Sequence, residues 1–141
     1  MTTYPAIKDA ALVGTYPGHT KSGGGFVWDA VLEYRVWCHP EWGAPVLEGN
    51  DGDYYYAFET YEEAMEFSKT MAGAEEPLAL ILQEEYISEP APGEYVHMKE
   101  QRMTEWPVVF LSRPQRNERT IPNFFAADAP ANRLDLLRGL V

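Results

Sequence analysis

Gly23-Gly24-Gly25-Phe26-Val27-Trp28-Asp29-Ala30-Val31-Leu32-Glu33-Tyr34-Arg35-Val36-Trp37-Cys38-His39-Pro40 is the stretch on which the reading of this chain turns. From Trp28 to Cys38 every even position is apolar or aromatic, whereas Asp29, Glu33, Arg35 and His39 stand at odd ones. A period of two is the signature of a strand with one buried face. Three glycines before it and a proline after it punctuate its ends. The expectation is an extended segment from Val27 to Cys38 that hides its even side and offers Glu33, Arg35, Trp37 and His39 on the other.

Working outward, Asp53–Glu59 (DYYYAFE) reads as a second strand, joined to the first by a Gly/Pro-punctuated loop in an antiparallel hairpin. Asn50-Asp51-Gly52-Asp53 in that loop lacks the rest of a calcium-loop pattern and reads as turn chemistry. Thr60-Tyr61-Glu62-Glu63 is a capping box that opens an amphipathic helix, with Gly73 as its stop. Glu62, Glu63 and Glu66 then fit a solvated face near a helix N-terminus. Pro77–Ile87 is apolar on both faces at first, as a central strand would be. After a loop at Ser88–Gly93, residues 95–103 form a fourth strand. Thr104–Leu111 reads as a short helix capped by Thr104, Ser112–Thr120 as a basic loop, and Asp128–Leu140 as a capped terminal helix. The fold class expected is therefore α+β. It has a mostly antiparallel sheet in the order strand, strand, helix, strand, strand, one main helix on one face, and short C-terminal helices. No repeat or linker divides residues 1–141, which read as a single domain with residues 1–25 as an arm that could fold over a site.

The 141 residues carry a net charge of -11, an unlikely balance for gripping phosphate, so nucleic acid is not an expected partner. The charge is uneven. Residues 1–98 hold four basic against seventeen acidic side chains, and residues 99–141 hold seven against five. No apolar run suggests a membrane span or a secretory signal, which points to a soluble cytoplasmic protein. The single cysteine, Cys38, falls on the apolar face and reads as a buried hydrophobe rather than a reactive thiol.

Two groups of residues carry possible chemistry. Glu33, Arg35, Trp37 and His39, joined by His97 from the fourth strand, would form a mixed-charge aromatic floor for a ligand. Left uncovered, the same residues would be a solvated face with cross-strand ion pairs. Arg113, Arg116 and Arg119 form the one basic cluster, suited to an anion or an acidic partner surface, or to neutralising the protein's own carboxylates. The Gly23–Gly25 run opens a strand rather than a helix, which makes it a poor phosphate cradle. Three scattered histidines and one buried thiol do not give zinc-ligand spacing, so no metal is expected.

Gly23–Trp37, Asp53–Phe67 and Ala129–Leu140 together resemble short bacterial proteins classed as GNAT-type acetyltransferases. That resemblance implies acyl transfer from acetyl-coenzyme A. The Arg/Gln-x-x-Gly-x-Gly/Ala loop that holds the coenzyme A pyrophosphate in that family is not found in this chain, and no catalytic residue is assigned from the likeness. The residues themselves favour a module that binds a protein or small ligand, with homo-oligomerisation left open. Exposed aromatics such as Trp37, Trp42, Tyr55 and Trp106 motivate that reading. Two alternatives stand beside that module, the acetyltransferase that the resemblance implies and, from the charge alone, an acidic inhibitor or immunity-type protein.

Overall fold

The computed structural model describes residues 4–50 and 52–140. Its strands are β1 (Lys21–Ser22), β2 (Ala30–Cys38), β3 (Tyr54–Phe58), β4 (Leu78–Gln83), β5 (Tyr86–Ala91), β6 (Glu94–Met98) and β7 (Arg102–Pro107). Its α-helices are α1 (Tyr61–Thr70), α2 (Thr120–Phe125) and α3 (Arg133–Leu137). A five-stranded sheet runs β1-β7-β4-β2-β3, antiparallel except for the parallel β1–β7 pair, and β5–β6 stands apart as a two-stranded hairpin. The architecture is α+β. No helix among the described residues is long and apolar enough to cross a membrane.

β2 has both expected neighbours, but its alternation breaks once. Val31 pairs with Ile81 and Glu33 with Leu80, so Leu32 is an extra residue in a β-bulge. One inserted residue exchanges the two faces of a strand. Val31 therefore joins Tyr34, Val36 and Cys38 on one face, while Ala30 and Leu32 turn to the other beside Leu80 and Leu82. The expectation that every even position from Trp28 to Cys38 shares a face is corrected on this account.

The first face is covered by α1. Thr60 accepts a hydrogen bond from the Glu63 amide at 3.1 Å and returns its hydroxyl to the Glu63 carboxylate at 3.0 Å. Ala64, Phe67 and Met71 then pack on Val36, Cys38, Ala79 and Ile81. The Cys38 thiol is buried there, and desolvation pushes its pKa up, which keeps it protonated. The N-terminal segment also lies on this side. The Tyr34 hydroxyl donates to the Pro5 carbonyl at 2.5 Å, and Tyr4 packs on Tyr61. Burial, then the nearby Glu62, raises the Tyr34 phenol.

Several boundaries differ from the sequence reading, each for a tertiary reason. Thr104-Glu105-Trp106 looks like a helix start but belongs to β7, where Trp106 pairs with Ala79 and Thr104 with Ile81. Pairing with a central strand overrides a local cap signal, and a 3-10 turn follows only at Val108–Ser112. Residues 95–103 are not one strand but the end of β6, a corner at 99–101, and the start of β7. The loop expected at Ser88–Gly93 instead carries β5 as far as Ala91. The basic loop gives way at Thr120 to α2, which the sequence reading did not assign. α2 and α3 pack with the β5–β6 hairpin around a second small core of Val27, Tyr86, Ile87, Ile121 and Phe124.

Candidate functional site

The floor expected on β2 exists but is not open to solvent. Glu33 and Arg35 are both 0% exposed. Arg35 Nε lies 2.6 Å from Glu33 Oε2 and its Nη1 3.0 Å from Glu105 Oε2, and Trp37 Nε1 donates to the same Glu105 oxygen at 2.8 Å. Residues 14–18 form a strap across the top. The Gly14 amide donates to Glu33 Oε1 at 2.8 Å, and Arg35 donates to the carbonyls of Pro17 at 2.6 Å and Gly18 at 3.3 Å. The Arg35 guanidinium lies over Tyr55, 4.4 Å from the ring centroid, and the Tyr55 hydroxyl donates to the Tyr16 carbonyl. The reading of this face as solvated is therefore corrected. A hydrogen-bonded charge triad sits where water was expected, because the strap supplies the acceptors and donors that water would have given.

The other floor residues go elsewhere. His97 belongs to the separate hairpin, 2.5 Å from Glu85 Oε1 and stacked near Phe125, so it does not join Glu33 and Arg35. Nor do the three arginines share a task. Arg116 is bound 2.8 Å from Asp29, Arg119 is exposed at the start of α2, and Arg113 lies over Phe110 and Trp106. Trp106, expected to be exposed, is fully buried, and Trp37 and Tyr55 are half-buried.

His39 marks a different surface. It ends β2 in extended conformation, and Pro40–Trp42 forms one 3-10 turn closed by Gly43 in the left-handed region. The chain leaving α1 runs back along it: His39 donates its amide to Gly73, the Glu75 amide donates to Trp37, and Ala74 bridges Cys38. This return places Glu75 Oε1 3.4 Å from His39 Nε2, while Asp53 Oδ1 stands 2.9 Å from Nδ1. Nε2 is buried and makes no aligned hydrogen bond, although Glu75 lies nearby. Trp42 packs on the imidazole with centroids 4.1 Å apart, yet is 60% exposed. Val46 and Leu47 on the same loop are exposed too, and the Tyr54 hydroxyl tethers that loop at the Pro45 carbonyl, 2.6 Å away. Beneath it, Tyr54 is buried and meets Tyr56 edge-on, and Tyr56, exposed, meets Phe67 in the same way. The turn reading at Asn50 holds where it is described, with the Gly52 amide on Asn50 Oδ1 at 3.0 Å; Asp51 lies outside the described residues.

An apolar patch thus stands inside a strongly acidic region. From Glu41 to Glu76 the chain carries ten of its 22 carboxylates against one lysine, Lys69. Among the described residues no group of three or more His, Cys, Asp or Glu is arranged to hold a metal. Sequence reasoning found His39 and Trp42 but missed Asp53 and Glu75. Their role depends on the return of the chain at Gly73, for which glycine alone was a signal.

Gly73 makes that return sterically possible. It has φ +76, and a Cβ there would stand 2.3 Å from the Ala44 nitrogen and 2.7 Å from the His39 carbonyl oxygen. Both are backbone atoms. Gly73→Ala is expected to lose about 2–4 kcal/mol, combining left-handed strain with overpacking. Gly43→Ala, where φ is +104 with nothing within 4 Å, should lose only the strain part. Thermal unfolding of the two variants side by side checks the difference.

The N-terminus of α1 is poorly suited to a pyrophosphate such as coenzyme A carries. The first turn of α1 carries Glu62 and Glu63, and the Glu63 amide is already taken by Thr60. Comparison with protein-family models, curated proteins and solved structures gives no match.

Proposed function

We propose that this protein is a binding module whose acidic, aromatic face around Trp42 docks a basic protein surface. The observation that carries this reading is Trp42, 60% exposed, next to Glu41 in the chain and packed on His39, whose ring nitrogens face Asp53 and Glu75. An exposed aromatic in such a setting supplies the desolvated anchor that dominates interface energy. The surrounding carboxylates select a cationic partner and speed its approach. They also disfavour nucleic acid and a second copy of this chain on the same face, because both would bring like charge.

The test begins with capture at low ionic strength and continues with the captured protein purified. Trp42→Ala is expected to weaken that partner's binding by about 30-fold or more, the range of a hot-spot residue. Raising ionic strength from about 50 to 500 mM should slow association while leaving dissociation little changed. An acidic partner, or binding indifferent to both Trp42 and salt, would overturn the proposal. The acetyltransferase expectation rests on the resemblance alone. A saturable heat on titration with acetyl-coenzyme A would put that reading in place of this one.

A further inference from the structure

We propose that the cavity between the 3-10 turn Val108–Ser112 and the C-terminal end of α3 binds a carboxylate carried on an apolar chain or ring, with Arg113 and Arg138 as its cationic partners. The cavity has a volume of about 420 Å³ and is lined by Val109, Phe110, Ser112, Arg113, Arg138 and Leu140. That volume lies in the range of small-molecule sites.

The two arginines are distant in sequence and meet through Gly139. Its φ of +71 turns the end of α3 onto Ser112–Pro114 so closely that a Cβ would stand 3.0 Å from Pro114 Cδ. Trp28 fixes the other wall by donating its indole N–H to the Arg113 carbonyl at 3.0 Å. The Arg113 guanidinium then lies 4.0 Å from the Phe110 ring centroid and 5.0 Å from that of Trp106. Arg138 lies 5.4 Å from the ring of Phe26, a residue held at φ +63 where side chains other than glycine are strained.

Every other arginine with a half-buried or buried side chain has an oxygen acceptor. Arg35 has Glu33 and Glu105, Arg102 has Gln83, Arg116 has Asp29, and Arg133 has the Phe124 carbonyl. Arg113 and Arg138 have none among the described residues, and the Arg138 Nε is buried without a hydrogen-bond partner. Burial, then the charge of the nearby Arg138, lowers the Arg113 pKa. No carboxylate among the described residues pairs with either guanidinium, and an anion would supply that partner.

The walls decide which anion. Val109, Phe110 and Leu140 are apolar, and the Ser112 hydroxyl spends its proton on the Val109 carbonyl at 2.9 Å. Arg113 and Arg138 are the charged residues of the lining. That matches a singly charged planar head with an apolar body better than a phosphate dianion, which needs more donors.

Isothermal titration of the whole chain with octanoate, 1-octanol and inorganic phosphate tests this. Octanoate is expected to bind saturably, with octanol and phosphate each at least about tenfold weaker. Arg138→Gln and Arg113→Gln should each lower octanoate affinity by about 10- to 100-fold, the value of a charge-assisted hydrogen bond. Arg138→Lys, which keeps the charge but loses the planar fork, should fall between wild type and Arg138→Gln and serves if the glutamine variant does not fold. Trp42→Ala should leave octanoate binding unchanged, which separates this site from the acidic face. Equal binding of octanoate and octanol, displacement of octanoate by equimolar phosphate, absence of saturable octanoate binding, or full affinity in folded Arg138→Gln would each overturn the proposal.

Discussion

Arg35→Ala is expected to remove about 3–5 kcal/mol of folding stability, the usual loss when one partner of a buried ion pair is deleted. The substitution leaves Glu33, 0% exposed, and Glu105 facing each other with no cation between them. It also frees the Pro17 and Gly18 carbonyls, which hold the strap down on Arg35. For a chain of this size each kcal/mol is worth about 4 °C, so the thermal midpoint should fall by about 12–20 °C. The combined variant Glu33→Leu, Arg35→Met, Glu105→Met tests why. Replacing a buried ion triad by apolar side chains of similar volume is often neutral, so it should recover most of the loss. Residues 14–18 would then keep only the Tyr55 hydroxyl as a polar partner on the sheet and should become cleavable by protease in the folded protein. Recovered stability with a strap still resistant to cleavage would show that Tyr16 packing, and not Arg35, holds it. A single Arg35→Ala loss under about 1 kcal/mol would mean that water replaces the guanidinium without strain.

Trp106→Ala should produce a loss of similar size, about 3–5 kcal/mol, from lost transfer energy and the cavity left behind. Trp106 is 0% exposed and packs within the α1-covered core, and its indole N–H donates to the Gly24 carbonyl at 3.0 Å. Trp106→Phe separates the two contributions. Gly24 also accepts from Gln83 at 3.0 Å, so its carbonyl stays paired and the hydrogen bond itself accounts for only about 1 kcal/mol. Chemical denaturation with an unchanged m-value checks both numbers, since a changed slope would mean an altered denatured state. A Phe variant as unstable as the Ala variant would contradict this division.

What could be read from the chain depended on how local the cause was. The capping box at Thr60–Glu63 and the strand within Asp53–Glu59 are fixed by neighbours within a few residues and form where the pattern places them, whereas the run Pro77–Ile87 splits, its strand ending at Gln83 and Tyr86 opening β5. The burial of Glu33 and Arg35 was not legible. A charged residue on a strand reads as solvent-facing, and nothing near Glu33 announces that Gly14, Pro17 and Gly18 will supply its surroundings. Leu32 was misplaced for a related reason, because an extra residue in a ladder is defined by the partner strand. His97 and Glu33 were grouped because both lie in strands, but strand identity does not say which sheet a strand joins.

The sequence by itself determined the α+β class, the main helix with its N-terminal cap and the acidic balance, since propensity, periodicity and charge act over short separations. Only the tertiary structure decided that the β2 charges are internal, that His39 stands between Asp53 and Glu75, and that Arg138 meets Arg113 across Gly139. Each of those outcomes depends on two segments far apart in the chain meeting at hydrogen-bond or van der Waals range, and that meeting is set by the packing of the whole fold.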